Sequence, residues 1–168
     1  MVSRRVPSMR EHAIELHLPI AMAPTAANES LVRVMRALAK PSASPDLLTL
    51  SLQLTDLHVG IAGEVRMPAQ IDIVDRPVRW EFGLSIRAAS NDGIFPTFEG
   101  TLSLSPVGRN AVELWLQGAY TPPFGAVGTV LDRTVLRHAA RRSLESFLQH
   151  IADDVIADAK EHYGLRIL

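Results

Sequence analysis

The sequence predicts an α+β fold, in which a curved antiparallel sheet of six or seven strands packs against one long C-terminal helix. Three observations lead to this prediction. Apolar and polar residues alternate in several segments up to Tyr120, as in strands that bury one face. After about Thr129 the apolar period becomes that of a helix, about 3.6 residues. Turn sequences at Asn91-Asp92-Gly93 and Pro106–Asn110 separate alternating segments.

Length and composition restrict the kind of protein. A chain of 168 residues, 47% of them hydrophobic, suffices for one domain with a substantial core. We expect one domain over residues 1–168, with residues 1–11 as a flexible N-terminus. The formal net charge of −1 provides no basic field, so we expect no nucleic-acid partner. The absence of cysteine excludes disulfides and thiolate nucleophiles, and it fits a cytoplasmic location.

The N-terminal sequence is not expected to direct the chain into or across a membrane. Ser3-Arg4-Arg5 faintly resembles a twin-arginine export signal, but charged residues and Pro19 interrupt the apolar run that should follow. No run of roughly 18 apolar residues occurs anywhere in the chain. We therefore expect no membrane insertion.

The first two elements are a strand and a short helix. The strand alternates with its apolar side chains on one face: Ile14, Leu16, Leu18 and Ile20. Thr25 or Asn28 is the expected N-cap of the helix, whose apolar positions recur at helical spacing: Leu31, Val34, Met35 and Leu38. Pro41 and Pro45 then form a surface connection.

Five further strands are predicted before the long helix. Their alternating segments are Leu48–His58, Val65–Ile73, Val78–Arg87, Ile94–Ser105 and Val112–Tyr120. Pro68 and Pro96 fall inside these patterns and cannot donate a ladder hydrogen bond. We therefore expect an edge or a bulge at each of them.

The segment Tyr120–Arg133 joins the last strand to the helix. Its glycines lack the following lysine and hydroxyl residue of a phosphate-binding Walker loop, so we interpret the segment as a hinge. Thr129 with Asp132 can cap the helix. The helix pattern runs from Thr129 to Ile156, and Gly164 is the expected stop. The side chains expected against the sheet are Val135, Ala139, Leu144 and Phe147.

The element order and several short motifs resemble the START/Bet v 1-like superfamily, which has the helix-grip fold. The likeness rests on the segments Phe95–Gly100, Gly118–Gly128, Leu131–Arg133 and Phe147–Ala152, and it covers Ala13 to Ile156. Small bacterial members described as polyketide cyclase/dehydrase-like, or SRPBCC, are the most similar. Members usually carry two short helices after the first strand, whereas this chain has room for one. The resemblance implies a ligand cavity between the sheet and the long helix.

The cavity residues are expected on the inward faces of the predicted strands and helix. The expected apolar lining is Leu52, Leu54, Trp80, Phe82, Phe98, Leu116 and Val135, with the small Ala139 opposite. Two polar side chains share these faces by parity: His58 and Tyr120. Each residue also has an alternative interpretation. His58 can instead lie at a strand end, Tyr120 can be a core tyrosine, and the other aromatic residues can be plain core residues.

Three functions remain open at this point. The first is binding of a small hydrophobic or amphipathic molecule, such as a lipid, in a cavity of about 300–1,000 Å³. The second is a polyketide cyclase-type enzyme, in which His58, Asp56 or Tyr120 assists proton transfer. The third is a protein-interaction module without a pocket.

Other features of the sequence suggest no metal and no cofactor. The histidine spacings match no zinc motif, and no cysteine is present. Four arginines lie at the start of the long helix: Arg133, Arg137, Arg141 and Arg142. They form a solvated face or a partner surface, or Arg133 forms the polar end of the cavity. A homodimer is compatible with the sequence.

Overall fold

The computed structural model describes residues 12–39, 49–53, 64–76, 80–88, 97–121 and 133–164. Within these ranges, only the backbone is described for 49–53, 64–70, 76, 88 and 133–139. The elements are β1 (His12–Ile20), α1 (Pro24–Leu38), β2 (Thr49–Gln53), β3 (Glu64–Arg76), β4 (Glu81–Ala88), β5 (Thr97–Gly108), β6 (Ala111–Thr121) and α2 (Arg133–Tyr163). The predicted α+β class and element order are confirmed.

The strands form one antiparallel sheet in the order β1-β6-β5-β4-β3-β2. β2, β4 and β6 end at one end of this sheet, which we call the loop end. At the opposite end, the helix end, β1 leads into α1 and the β3–β4 and β5–β6 connections are short. α2 contacts both edge strands, β1 and β2, as a helix gripped by a curved sheet does. The antiparallel pairing of the described strands contradicts a dinucleotide-binding fold.

The start of α1 differs from the prediction. The helix begins at Pro24 with Ala23 as N-cap, and no side chain caps it. Proline is suited to the first helical position, because its fixed φ matches the helix and it lacks an N–H that would need a partner. Thr25 and Asn28 therefore lie inside the helix, and the prediction that one of them is the cap is wrong.

Two strand boundaries also differ from the sequence pattern. Trp80 precedes β4 and has a φ of 53°, a left-handed conformation that is rare for a bulky residue, so this strand begins later than predicted. β5 continues through Pro106, which pairs with Val112, and its register shifts before Gly108. The predicted turn is thus reduced to Arg109-Asn110, because a bulge absorbs the extra residue.

Pro68 lies at an edge position, as predicted. It pairs with Thr49 of β2, and pairing of β3 with β4 begins only at Ala69. Its missing N–H therefore removes no bond to a second neighbouring strand. Pro96, the hinge and the predicted helix cap at Thr129 lie outside the described residues.

The core lies between the inner face of the sheet and the two helices. The inner-face side chains of β1, β4, β5 and β6 are almost all buried. α2 contributes a stripe of buried side chains: Ala140, Leu144, Phe147, Leu148, Ile151, Ala152, Val155 and Ala159. The predicted burial of Leu144 and Phe147 is confirmed, whereas the side chains of Val135 and Ala139 are outside the described part. Gly164, with a φ of 60°, ends α2 as predicted.

A cluster of polar side chains joins α1 to the C-terminal part of α2. Arg33 donates from Nε and Nη2 to both carboxylate oxygens of Asp158, at 2.7–3.2 Å, and from Nη2 to the buried Ser30 hydroxyl at 3.1 Å. These hydrogen bonds hold the pKa of Asp158 below its usual value and that of Arg33 above its own. The Arg33 guanidinium also lies over the Tyr163 ring, 5.7 Å from its centre. We call these four residues the interhelix cluster.

Candidate functional site

The inner face at the loop end combines aromatic, polar and apolar side chains in one cross-strand row. Register places five residues side by side across β1, β6, β5, β4 and β3: His12, Tyr120, Phe98, Ile86 and Ile71. We call this set the loop-end row. Tyr120, Phe98 and Ile86 are at most 3% exposed. The row is therefore a largely apolar surface with two polar rings at its β1 side.

His12 and Tyr120 form a stacked pair. Their ring centres are 5.0 Å apart with an angle of 24° between the planes. Tyr120 is 1% exposed, whereas His12 is only partly buried. Stacking against the imidazole holds the tyrosine ring in one orientation on the sheet. The pair thus places an imidazole and a phenol together where the inner face reaches the loop end.

The Phe98 ring covers a bare patch of the sheet. Gly100 and Gly118 pair directly across β5 and β6, so the two central strands have no side chain at this row. A Cβ added to Gly100 would lie 2.5 Å from Phe98 Cζ, and one added to Gly118 would lie 2.7 Å from it. The aromatic ring therefore fills space that two side chains would otherwise occupy, and the glycines are required for this close approach.

Toward the helix end, the inner face continues with buried apolar side chains. Leu16, Leu116, Leu102 and Phe82 form the row after the glycines and are all at most 4% exposed. Leu31 and Met35 of α1 are fully buried at that end of the molecule. His12 and Tyr120 thus lie at the loop end, while the side chains that β1, β4, β5 and β6 place in the next rows of the inner face are apolar.

The structure describes five of the ten predicted site side chains. Phe98 and Tyr120 are cross-strand neighbours, and Phe82 and Leu116 share the next apolar row on either side of Leu102. Trp80 is partly buried and its carbonyl accepts a hydrogen bond from the Leu104 amide at 3.3 Å, toward the helix end. Ile86 of the loop-end row lies six positions after Trp80, which corresponds to roughly 20 Å along a strand.

The other five predicted site residues stay predictions. Leu52 lies in β2 and Val135 and Ala139 lie in α2, but nothing is described of their side chains. Leu54 and His58, together with the neighbouring Asp56, lie outside the described residues.

His12 is the polar residue that sequence reasoning missed. It is not among the predicted site residues, although it has the same parity as Ile14 and Leu16 in the alternating pattern. Extending the first strand by one pair of residues would have placed it on the inner face beside Tyr120. By contrast, His17 lies on the outer face as expected, where its Nδ1 is 2.9 Å from Glu113 and its ring stacks on Trp115.

Groups of acidic or histidine residues that could hold a metal ion are absent from the described ranges. Within the same ranges, neither helix has the length and apolar character needed to cross a bilayer.

No family model and no curated protein sequence matches the chain. Solved structures do match. The Zhui aromatase/cyclase from Streptomyces sp. R1128 aligns with a TM-score of 0.52 and 15% identity, over 91% of this chain and 96% of its own. Norcoclaurine synthase from Thalictrum flavum aligns with a TM-score of 0.51 and 14% identity, over 96% and 97%. A conserved protein from Geobacillus kaustophilus aligns with a TM-score of 0.55 and 13% identity, over 87% and 96%. At these identities the likeness concerns architecture, and the chain has the helix-grip fold of the Bet v 1-like proteins.

Proposed function

We propose that the protein binds a small hydrophobic or amphipathic molecule between the loop end of the sheet and the N-terminal half of α2. The observation that carries the proposal is the loop-end row, where a stacked imidazole and phenol adjoin a broad apolar face. Binding sites for small molecules typically combine such an apolar lining with a few polar groups that orient the ligand. Solved structures of the same fold include enzymes that act on small organic molecules, which supports this choice.

The proposed lining consists of described side chains on this face: His12, Phe82, Phe98, Leu116 and Tyr120. The predicted residues Leu52, Leu54, His58, Val135 and Ala139 extend the proposal to regions without described side chains. Trp80 lies further toward the helix end than the described lining residues and stays a predicted lining residue.

A neutral fluorescent probe tests the binding proposal. N-phenyl-1-naphthylamine should bind the folded protein saturably, with one probe per chain, and a fatty alcohol such as dodecanol should displace it. His12→Trp, which enlarges a half-buried side chain at the loop end, should weaken binding about tenfold or more. His17→Trp is the matched control, because it makes the same change on the outer face of the same strand. Equal affinity in both variants would place the site elsewhere, and no saturable binding would favour an interaction module.

A cyclase-type enzyme is the second candidate. The His12–Tyr120 pair favours it, because an imidazole and a phenol in contact can hold and move a proton at a ligand oxygen. A poly-β-ketone thioester incubated with the protein should then yield a cyclised product detectable by mass spectrometry. Tyr120→Phe should lower the rate of cyclisation more than it lowers probe affinity. If the thioester cyclises no faster than in buffer, the binding function alone remains.

A cytoplasmic location and a homodimer stay predictions. The first rests on the lack of cysteine and the second on compatibility with the sequence.

A further inference from the structure

We propose that two copies of the chain form a homodimer through β1, which pairs antiparallel along its open edge so that the two sheets join into one. β1 is the first strand in the sheet order, and among the described strands it pairs with β6 alone. An edge strand of this kind presents unpaired backbone groups to another strand. The inference goes beyond the proposed binding function, because it concerns a different surface and no ligand takes part.

The direction of the backbone groups in β5 is known from one hydrogen bond. In an antiparallel ladder, the N–H and C=O of one residue point to the same side of the strand, and those of the next residue point to the other side. The Leu104 amide donates to the Trp80 carbonyl, which lies on the β4 side of β5. Even-numbered residues of β5 therefore face β4, and odd-numbered residues bond with β6.

The same alternation can be followed to β1. Ser103 of β5 is opposite Trp115, so the odd-numbered residues of β6 bond with β5 and its even-numbered residues bond with β1. Leu116 is opposite Leu16, so the even-numbered residues of β1 bond with β6 and the odd-numbered ones face the open edge. Pro19 agrees with this assignment, because its missing N–H then faces the open edge and removes no bond to β6.

The residues that face the open edge also have exposed side chains, all on the outer face of the sheet: Ala13, Glu15, His17 and Pro19. Glu15 takes part in none of the ion pairs found within the described ranges. His17 Nδ1 lies 2.9 Å from Glu113 Oε1, and stacking on Trp115 orients the ring. A protonated imidazole has a second donor at Nε2, which can bind another carboxylate.

A two-fold axis through Leu16 makes this edge complementary to itself. Glu15 of each copy then lies opposite His17 of the other copy, and Ala13 lies opposite Pro19, with all nine residues of β1 overlapping. Each Glu15–His17 pair exchanges two backbone hydrogen bonds and brings opposite charges together. An axis through Glu15 or through His17 would instead place identical side chains against each other. The charges therefore select one register.

The inner face of the joined sheet also gains contacts in this register. Leu18 is only partly buried in the single chain, although it lies on the inner face. In the dimer it would lie opposite Ile14 of the other copy and lose apolar surface to solvent contact no longer. Pairing along one nine-residue strand is a small interface, so we expect a dimer that dissociates on dilution.

Exchange of charges between paired positions tests the inference. Sedimentation velocity at about pH 6 and 0.15 M salt, over about 5–500 µM protein, should show a monomer–dimer equilibrium for the wild type. Glu15→Lys and His17→Glu should each weaken the dimer at least tenfold, because each opposes like charges. An equimolar mixture of the two variants should dimerise again, because every introduced charge then lies opposite one of the other sign.

Glu99→Lys is the matched control. It makes the same change of charge at an exposed position on the outer face of the central strand β5, away from the edge. It should change the dimer affinity by less than about twofold, since screening weakens distant surface charges at this salt concentration. Equal weakening by Glu15→Lys and Glu99→Lys, or no recovery in the mixture, would place the contact on another surface and overturn the inference. So would a wild type that stays monomeric at every concentration.

Amide hydrogen exchange of the wild type covers the case in which a variant does not fold. The amides of Glu15 and His17 face the open edge in the single chain and should exchange at least tenfold more slowly at the highest concentration than at the lowest. The Leu16 amide, which bonds with β6 in both states, should change less. Exchange at Glu15 and His17 that does not depend on concentration would overturn the inference. None of these results depends on binding of the neutral probe, so the proposed function stands or fails separately.

Discussion

At the scale of single residues, the Gly100–Gly118 pair under the Phe98 ring makes a sharp steric demand on the sheet. A Cβ on Gly118 would lie 2.3 Å from the Glu99 carbonyl oxygen and 2.6 Å from Gly100 Cα. Both are backbone atoms, which cannot move aside as the end of a flexible side chain can. Substitution here must therefore shift a strand.

Gly118→Ala should lower the free energy of unfolding by about 1–3 kcal/mol, measured by urea denaturation, because it overpacks the sheet. Gly108→Ala is the matched control. Its added Cβ would meet only Ala111 Cβ, at an ordinary 3.7 Å, so a change within about 0.5 kcal/mol is expected. Equal effects of the two substitutions would show that the close approach at Gly118 is not a constraint.

Residue parity was readable from the sequence, but contacts between strands were not. Alternation alone assigned Phe82, Phe98, Leu116 and Tyr120 to one face, and all four are buried there. The stacking of His12 on Tyr120 depends on which residues stand opposite each other. That register is set by turns and by the bulge after Pro106, neither of which the period of two specifies.

At the scale of elements, α2 is held to the sheet by its buried stripe. Phe147 is 3% exposed near the middle of the helix. Phe147→Ala should therefore lower the free energy of unfolding by about 3–5 kcal/mol, through lost burial and the cavity left behind. Ser146→Ala, one residue away and exposed, should change it by less than about 0.5 kcal/mol. A loss below about 1 kcal/mol at Phe147 would contradict its place in the core.

The interhelix cluster should make stability depend on acid pH. Hydrogen bonding to Arg33 lowers the pKa of Asp158 from its unfolded value of 3.8. The stabilisation is therefore fully present above about pH 4 and is lost as pH falls through the lower folded pKa. The raised pKa of Arg33 concerns only strongly alkaline solution, where its contribution would disappear.

Asp158→Asn should consequently lower the unfolding midpoint in urea at pH 7, and the difference from wild type should shrink toward pH 2.5. Its effect at pH 7 should exceed that of Glu145→Gln, which breaks the exposed Arg141–Glu145 pair worth about 0.5 kcal/mol or less. A difference between Asp158→Asn and wild type that does not vary with pH would show that the charge of Asp158 does not stabilise the fold.

The two helices illustrate the limits of element prediction. The period of α2 and its glycine stop were clear from the sequence, because a long amphipathic stripe and a left-handed C-terminal residue have strong local signatures. The N-cap of α1 was not clear from the sequence, because threonine, asparagine and proline, the residues at Thr25, Asn28 and Pro24, are all common at helix starts. The bond between Arg33 and Asp158 spans 125 positions in the sequence, and no local pattern relates them.

At the scale of the whole molecule, the order of strands predicts the order of local stability. β5 and β6 are central and hydrogen-bonded on both sides, whereas the five-residue β2 pairs only with β3. Amide hydrogen exchange should therefore be slowest in β5 and β6 and fastest, among the described strands, in β2. Exchange in β2 as slow as in β6 would mean that the sheet opens only by global unfolding.

The overall architecture was predictable because its signals are repeated along the chain. Alternating segments, turns and one change of period are enough to specify an antiparallel sheet with a terminal helix. The composition of the candidate site was harder to obtain. Its residues come from strands distant in sequence and from positions such as His12, where a polar side chain interrupts the pattern that identifies a strand.

The unequal ends of the sheet have a consequence for engineering. At the helix end, Arg109-Asn110 alone connects β5 to β6, while ten residues lie between Gln53 and Glu64 at the loop end and eleven between Thr121 and Arg133. Changes of length between those strand ends leave the register of the central strands untouched, since that register is defined within the strands and at the short reversal. The chain is thus suited to serve as a display scaffold, with randomised segments inserted at the loop end and selected for new ligands while the opposite end preserves the fold.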